Sequence, residues 1–312
     1  MNIKREEVKF PSVESGQTIY GEVFYPSGEI KGILQFAHGM SDYGARYGDL
    51  FEMLAQNGYV AGYSDHLGHG YTASSSEDLG YIAHSEGYKK LIGDFSCFYD
   101  ILDEKFPNVP HFVMGHSMGS FIVRCFLVTA KPQGAIVMGT GKKNPLADLG
   151  IVVAKLVAAV KGERYRSKLL MKLCFGSYNK KIKDSNHLWA WLSYDKKAQQ
   201  NIVDDEKRNK FFTASAFQDL FYLVKYANAD VVIDKTPKDL PIIFISGSED
   251  PLGPYEDGIN TLCKEFKSRD FSAVDAKIFP NCRHELCHEI RREEVFEFIL
   301  QWLNKEVSRV KK

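Results

Sequence analysis

The stretch HFVMGHSMGSF, residues 111–121, decides the fold. Its first half is a short, unbroken apolar run, the pattern of a strand buried on both faces. Its second half opens an apolar helix over about residues 118–129. Between them lies Gly115-His116-Ser117-Met118-Gly119, a G-x-S-x-G bend in the strand-to-helix context that a nucleophile requires. So tight a turn tolerates almost no side chain two residues before and two after the serine. The serine is then held in a strained conformation with its hydroxyl exposed. The helix that follows aims its N-terminus at the same place, which favours a developing negative charge. An ordinary strand-to-helix turn is the rival reading of the glycines alone.

Working outward, strand and helix signals alternate. Strands are expected at 18–25, 32–38, 59–63, 111–115 and 135–139, with helices at 46–56, 86–106 and 118–129. The pattern breaks from residue 142 to about 228, where helical periodicity continues without a convincing strand. It resumes with strands at 241–246 and 276–279 and helices near 255–266 and 289–307. Such alternation predicts an α/β fold with a mostly parallel sheet covered by helices on both faces. The interruption is far too long for a connection and reads as a helical insertion on the sheet.

A serine nucleophile needs a base, and the base needs an orienting acid. After the insertion the histidines are His284 and His288. His284 sits in a loop between a strand and the last helix and is preferred; His288, one turn on, is expected on a helix surface. Asp250 follows the strand at 241–246 and is the preferred acid, with adjacent Glu249 as its competitor. Asp219, Asp234 and Asp275 lie away from such an edge, and solvated or capping roles suit them. The oxyanion needs two N–H donors. One is expected from Met118, and the other from Met40 in the loop His38-Gly39-Met40 after the second strand. There Gly39 permits close approach, and His38 braces the loop.

The motifs His38-Gly39-Met40 with Arg46-Tyr47, Gln56-Asn57-Gly58-Tyr59, Asp65-His66-Leu67-Gly68-His69-Gly70 and Gly115–Ser120 resemble the α/β-hydrolase superfamily. The branch they resemble is that of monoacylglycerol lipases and lysophospholipases, hydrolases of the serine aminopeptidase S33 type. The resemblance covers residues 15–140 and 235–305; the insertion matches in length and helical character. It implies an eight-stranded sheet, a core of 1–140 and 229–312, and a helical cap over 141–228. It also implies Ser117 as nucleophile, Asp250 as acid, His284 as base, Met40 and Met118 as oxyanion donors, and His38, Gly39 and His116 as supporting residues. The family usually carries Arg where Leu67 stands, which bears on the bracing of that loop.

Composition bounds the rest. The 312 residues hold 40 Lys plus Arg against 40 Asp plus Glu, so the basic excess of a nucleic-acid binder is missing. With 21 Phe and 16 Tyr the chain is too rich in aromatics to be disordered. The first residues carry no apolar run of a secretory signal, and no apolar stretch of about 18 residues suggests a membrane span. The six scattered cysteines are expected as thiols, Cys282 and Cys287 included, in a cytoplasmic protein. The spacing of Asp65, His66 and His69 is metal-like, but Gly68 and Gly70 favour a tight loop, so neither metal nor cofactor is expected.

Within the insertion, residues 146–160 are apolar on nearly all faces, and residues 161–183 hold eight Lys or Arg and one Glu. A buried cap helix beside a solvated charged face is the plain reading. A lid that touches an anionic membrane surface is the sharper one. The cap aromatics Phe175, Tyr178, Trp189, Trp191, Tyr194, Phe211, Phe212, Phe217 and Phe221 either hold the cap together or line an acyl tunnel. The expected activity is a serine hydrolase of carboxylic esters, on a monoacylglycerol or lysophospholipid. A small-ester carboxylesterase or proline-type aminopeptidase on the same scaffold is the nearer alternative, and a catalytically silent binding module the remote one.

Overall fold

The computed structural model describes residues 3–143, 145, 147–182, 188–208, 211–252 and 255–310. Eight strands form one sheet in the order β1-β2-β4-β3-β5-β6-β7-β8. They are β1 Lys4–Pro11, β2 Thr18–Tyr25, β3 Gly32–Ala37, β4 Tyr59–Ser64, β5 His111–His116, β6 Gly134–Met138, β7 Ile242–Gly247 and β8 Val274–Phe279. From β4 through β8 every pairing is parallel; β1 and β2 are antiparallel additions at one edge. The central strands β3, β4, β5, β6 and β7 are buried along their whole length. That is why their sequences run apolar without alternating.

The strand β1 carries no hydrophobic pattern that would mark it in the sequence. Its KREEVKFP sequence presents charge to water along an open edge, and Phe10 alone is fully buried. Charged edge strands protect a sheet from pairing with another chain, and the same charges hide them from hydrophobic patterning.

Helices cover both faces. On one lie α1 Gly48–Gln56 and α10 Arg292–Val310, with Leu50, Phe51, Ile299 and Leu303 packed on the sheet. On the other lie α2 Gly87–Lys105, α3 Met118–Phe126 and α9 Tyr255–Lys267. Phe95, Phe98, Val123, Phe126 and Phe266 form that core. The last helix starts three residues later than its periodicity predicts. Glu289 is spent instead on the backbone N–H groups of Arg283 and Tyr194, at 2.6 and 2.9 Å.

Between β6 and β7 come α4 Ala147–Lys161, α5 Lys168–Phe175, a 3-10 turn Ala190–Leu192, α6 Lys196–Asp204, α7 Ala214–Ala227 and α8 Asp230–Lys235. Helices α4 and α7 cross closely at Gly150, where a Cβ would stand 2.7 Å from the Phe221 ring. Leu146 and Lys183, which the sequence reading includes in this region, lie outside the described residues. Among the described residues no helix is long and apolar enough to cross a membrane.

If β1 is integral to the fold, Phe10→Ala removes a buried ring that faces Phe98 at 5.8 Å. It should cost about 3 kcal/mol in urea denaturation, while exposed Lys9→Ala stays within about 0.5 kcal/mol. Equal, small effects would show β1 to be a dispensable tail.

Candidate active site

The bend after β5 is built as its glycines demand. Ser117 sits at φ 54° and ψ −118°, a strained conformation for a residue with a side chain. A Cβ on Gly119 would overlap the carbonyl oxygen of Ala37, and one on Gly115 the carbonyl oxygen of Gly119. Strand β3 and the start of α3 therefore touch through bare backbone. Gly39 comes equally near: a Cβ there would lie 3.2 Å from Ser117 Cβ. Ser117 donates its N–H to Met138 O at 3.0 Å, which ties the bend to β6. Met118 opens α3, where an N–H has no acceptor within its own helix.

At the ends of β7 and β8 two loops are zipped together. Ser248 N–H donates to Phe279 O at 2.9 Å and Glu249 N–H to Cys282 O at 3.0 Å. The bare Gly247 lets residues 282–283 lie on the strand end, since a Cβ would overlap their carbonyl oxygens. The zipper sets Nδ1 of His284 2.8 Å from Asp250 Oδ2, both residues being buried. Asp250 also accepts from Leu252 N–H at 2.9 Å and Ser246 Oγ–H at 3.3 Å. A carboxylate against Nδ1 fixes the tautomer, so Nδ1 carries the proton and Nε2 the lone pair. That Nε2 is buried and has no hydrogen-bond partner among the described residues. Gly139, at φ +58°, leaves room for the ring: a Cβ there would lie 3.0 Å from His284 Cε1. Glu249 is occupied elsewhere, accepting from Tyr194 Oη–H at 2.6 Å.

The other residues singled out by sequence surround this pair. His38 donates through Nδ1 to Gly39 O at 2.9 Å and accepts His66 N–H on Nε2 at 3.0 Å. Burial lowers its pKa to about 3, so it is neutral. His66 and His69 spend ring nitrogens on His38 O and Leu67 O, at 3.1 and 2.9 Å. Leu67 is buried in the core, and the loop's bracing comes from Asp65, which accepts the N–H groups of Gly44 and Tyr71 at 2.8 Å each. His116 donates through Nε2 to His284 O at 3.1 Å, and its Nδ1 meets Tyr47 Oη at 2.9 Å. Burial lowers its pKa to about 4. His288 is not on a helix surface: it ends a 3-10 turn with its ring 5.0 Å from that of Tyr47. Cys282 and Cys287 are buried free thiols, and burial pushes that of Cys282 up to about 11.

A buried ion cluster lies beside the pair and was not read from sequence. Arg46 donates to Asp42 at 2.6 Å and to Glu285 at 2.9 Å. Arg208, from the segment after α6, donates to the other oxygen of Glu285 at 2.6 Å. Burial opposes charge on Asp42 and Glu285, but the two guanidinium groups outweigh it and hold both carboxyls well below their usual range. Asp42 and Arg46 stand four residues apart, a spacing that could have signalled the first pair. No local signal links Arg208 to Glu285.

Ser117 lies where two cavities meet. The smaller, about 40 Å³, is lined by His284, Glu285, Arg208 and Trp191. The larger, about 420 Å³, is mostly apolar, with Met118, Phe121, Phe175, Phe221 and Val224 in its wall. Met40 lines both. Phe175, Tyr178, Trp191 and Phe221 thus face the larger cavity, while Phe212 and Phe217 are core.

Residues 28–291 match the family described as serine aminopeptidase, S33. A monoacylglycerol lipase of Mycolicibacterium smegmatis is 29% identical over 300 residues, covering 96% of this chain and 97% of that protein. An uncharacterised abhydrolase domain-containing protein of Dictyostelium discoideum is 24% identical over 282 residues, which are 88% of this chain. The chain spans only about a quarter, 26%, of that relative's length. A carboxyl esterase from Bacillus coagulans, solved in complex with glycerol, superposes with a TM-score of 0.89 at 25% identity, covering 98% of this chain and all of that one.

Tyr47 Oη bridges Asp42 Oδ2 at 2.8 Å and His116 Nδ1 at 2.9 Å. The single hydroxyl proton serves one of these two acceptors at a time; Tyr47→Phe removes it and should cost about 1–3 kcal/mol in thermal or urea denaturation. A cost within error of zero would mean that the bridge does not hold the site together.

Proposed function

We propose that this chain, which belongs to the serine aminopeptidase S33 family of α/β-hydrolases, hydrolyses carboxylic esters of lipids through Ser117, His284 and Asp250. The observation that carries this reading is the Nε2 of His284, without a hydrogen-bond partner among the described residues and on the same cavity as a serine held in a strained bend.

Ser117 Oγ attacks the ester carbonyl carbon while Nε2 of His284 takes the hydroxyl proton. Asp250 keeps the imidazole oriented through Nδ1–H and supports its positive charge. The carbonyl oxygen, now anionic, receives the N–H groups of Met40 and Met118, with the N-terminus of α3 behind it. As the carbon–oxygen bond breaks, His284 hands its proton to the departing alcohol and the acyl group stays on Ser117. Water then attacks by the same route, releasing the acid and restoring the serine. The cycle balances without a cofactor.

The division of the cavities supports a lipid substrate, a monoacylglycerol or lysophospholipid, with the acyl chain in the larger one. The smaller cavity is too small for an acyl chain and its wall is mostly apolar; the polar group it offers to the alcohol is Nη1 of Arg208, buried beside it without a partner among the described residues. The carboxylates there, Asp42 and Glu285, are already paired with Arg46 and Arg208. That favours an ester over an aminopeptidase substrate, whose ammonium group would need a carboxylate of its own.

We assign residues 141–228 to a cap on a core of 1–140 and 229–312. Its helices α4 and α5 expose Leu149, Val152, Leu156, Val160, Leu169 and Leu173, each more than half accessible. Leu149 and Leu173 also line the larger cavity, so this apolar face is continuous with it. Lys155, Lys161, Arg164, Lys168 and Lys172 lie on or between the same two helices. Apolar area flanked by cations is what transient contact with an anionic bilayer uses. With six free cysteines, a cytoplasmic protein peripheral to the membrane fits best.

A fluorophosphonate probe should label the protein and fail to label Ser117→Ala, and hydrolysis of p-nitrophenyl esters should fall at least about 10³-fold in that variant. Asp250→Asn should lose about 10⁴-fold in kcat through the wrong tautomer. Labelling that survives in Ser117→Ala would overturn the assignment, and no labelling of the unaltered protein would favour a silent binding module. Co-sedimentation with vesicles should require anionic lipid and weaken with salt; indifference to both removes the membrane contact.

A further inference from the structure

Helix α3 carries a second unusual residue, seven positions after the nucleophile. Arg124 is 3% exposed, and its described partners are all uncharged. Nη1 donates to Thr140 Oγ1 at 3.3 Å and Gly141 O at 3.1 Å. Nη2 donates to Ala227 O at 2.8 Å and Asn228 Oδ1 at 2.9 Å. Burial lowers its pKa to about 10, so at neutral pH it is still a cation.

A buried cation facing neutral acceptors is costly, and local packing does not explain its place on a helix that could carry an aliphatic residue. Its four acceptors have one thing in common. Thr140 and Gly141 are where the chain leaves β6 for the helical insertion, and Ala227 and Asn228 are where α7 ends and the chain turns back toward the sheet. A planar fork reaches both crossings at once, which a lysine ammonium cannot match. Asn228 extends the tie into α7 by donating to Val224 O at 2.8 Å. The pinned segments also border the larger cavity. Gly141 and Lys142 line it on one side, Leu220, Phe221 and Val224 on another, and Phe121, whose ring lies 5.9 Å from the Arg124 guanidinium, on a third.

We propose that Arg124 is a positioning residue that pins both ends of the helical insertion to the nucleophile's helix, and thereby sets the acyl-chain preference. This rests on the ester-hydrolase reading for its substrate and on hydrogen bonding alone for the pinning.

The test compares Arg124→Lys and Asn228→Ala with the unaltered protein, each titrated for active sites. The first readout is the ratio of kcat/KM for p-nitrophenyl laurate to that for the butyrate. The second is hydrogen exchange in peptides covering residues 140–143 and 226–230. Arg124→Lys should lower the ratio about tenfold, the size expected for losing a charged hydrogen bond, and Asn228→Ala by less. Exchange should rise at both ends together. A merely structural defect would lower both esters in proportion and leave the ratio unchanged. A ratio within about twofold of the unaltered protein in both variants, or exchange rising at one end alone in Arg124→Lys, overturns the proposal. If Arg124→Lys does not fold, Asn228→Ala decides it. If the unaltered protein hydrolyses neither ester, the ester reading fails, and exchange still decides whether Arg124 pins the insertion.

Discussion

The backbone contact between the end of β3 and the first turn of α3 is the constraint on which everything else turns. No side chain fits between Gly119 and the carbonyl oxygen of Ala37, and Gly39 leaves equally little space beside Ser117. Because the two segments meet backbone to backbone, the chain must reverse within one residue after β5. Ser117 absorbs that reversal at φ 54°. Strain of this kind costs on the order of 1–3 kcal/mol and persists only where its surroundings over-determine it. Here the surroundings are parallel strands buried on both faces, which have no freedom to relax.

Around that bend the structure spends buried charge to hold loops that come from distant parts of the chain. Arg46, Asp42, Glu285 and Arg208 form a closed set of two cations and two anions. Replacing such a set with apolar residues is often neutral for stability, but removing one member leaves a buried charge costing about 3–5 kcal/mol. The set is better understood as fixing geometry. It joins the loop after β3, the loop that carries His284 and the segment after α6. Leu192 reinforces the junction by accepting Glu285 N–H at 2.7 Å, and the Trp191 ring lies 4.9 Å from that of His284. The segment around residues 191–208 and the loop that carries His284 are thereby joined, whereas α4 and α5 leave an apolar face open to solvent.

Seven of the eight strands were legible because parallel, doubly covered strands are short apolar runs between turn residues. The eighth, β1, was not, since KREEVKFP reads as a solvated tail until an edge is available for it to pair with. Ser117, Asp250 and His284 stood out because each follows a strand, where loops gather at one edge of a parallel sheet. His288 was misread because periodicity extended the last helix backwards, while Glu289 is taken by Tyr194 and Arg283 and the helix starts later. The roles of Arg208, Arg124 and Gly139 could not be read locally. Their partners lie at Glu285, at residues 140–141 and 227–228, and at His284, and only the folded chain brings these together.

A crystal structure of the protein inhibited with a long-chain alkyl phosphonate tests whether Ser117, His284 and the two N–H groups act on one reacting centre. Phosphorus should be bonded to Ser117 Oγ, with a phosphoryl oxygen about 3 Å from the N–H groups of both Met40 and Met118, His284 Nε2 beside the ester oxygens, and the alkyl chain in the larger cavity. Phosphorus bonded to another side chain, or a phosphoryl oxygen turned away from both N–H groups, would contradict that arrangement.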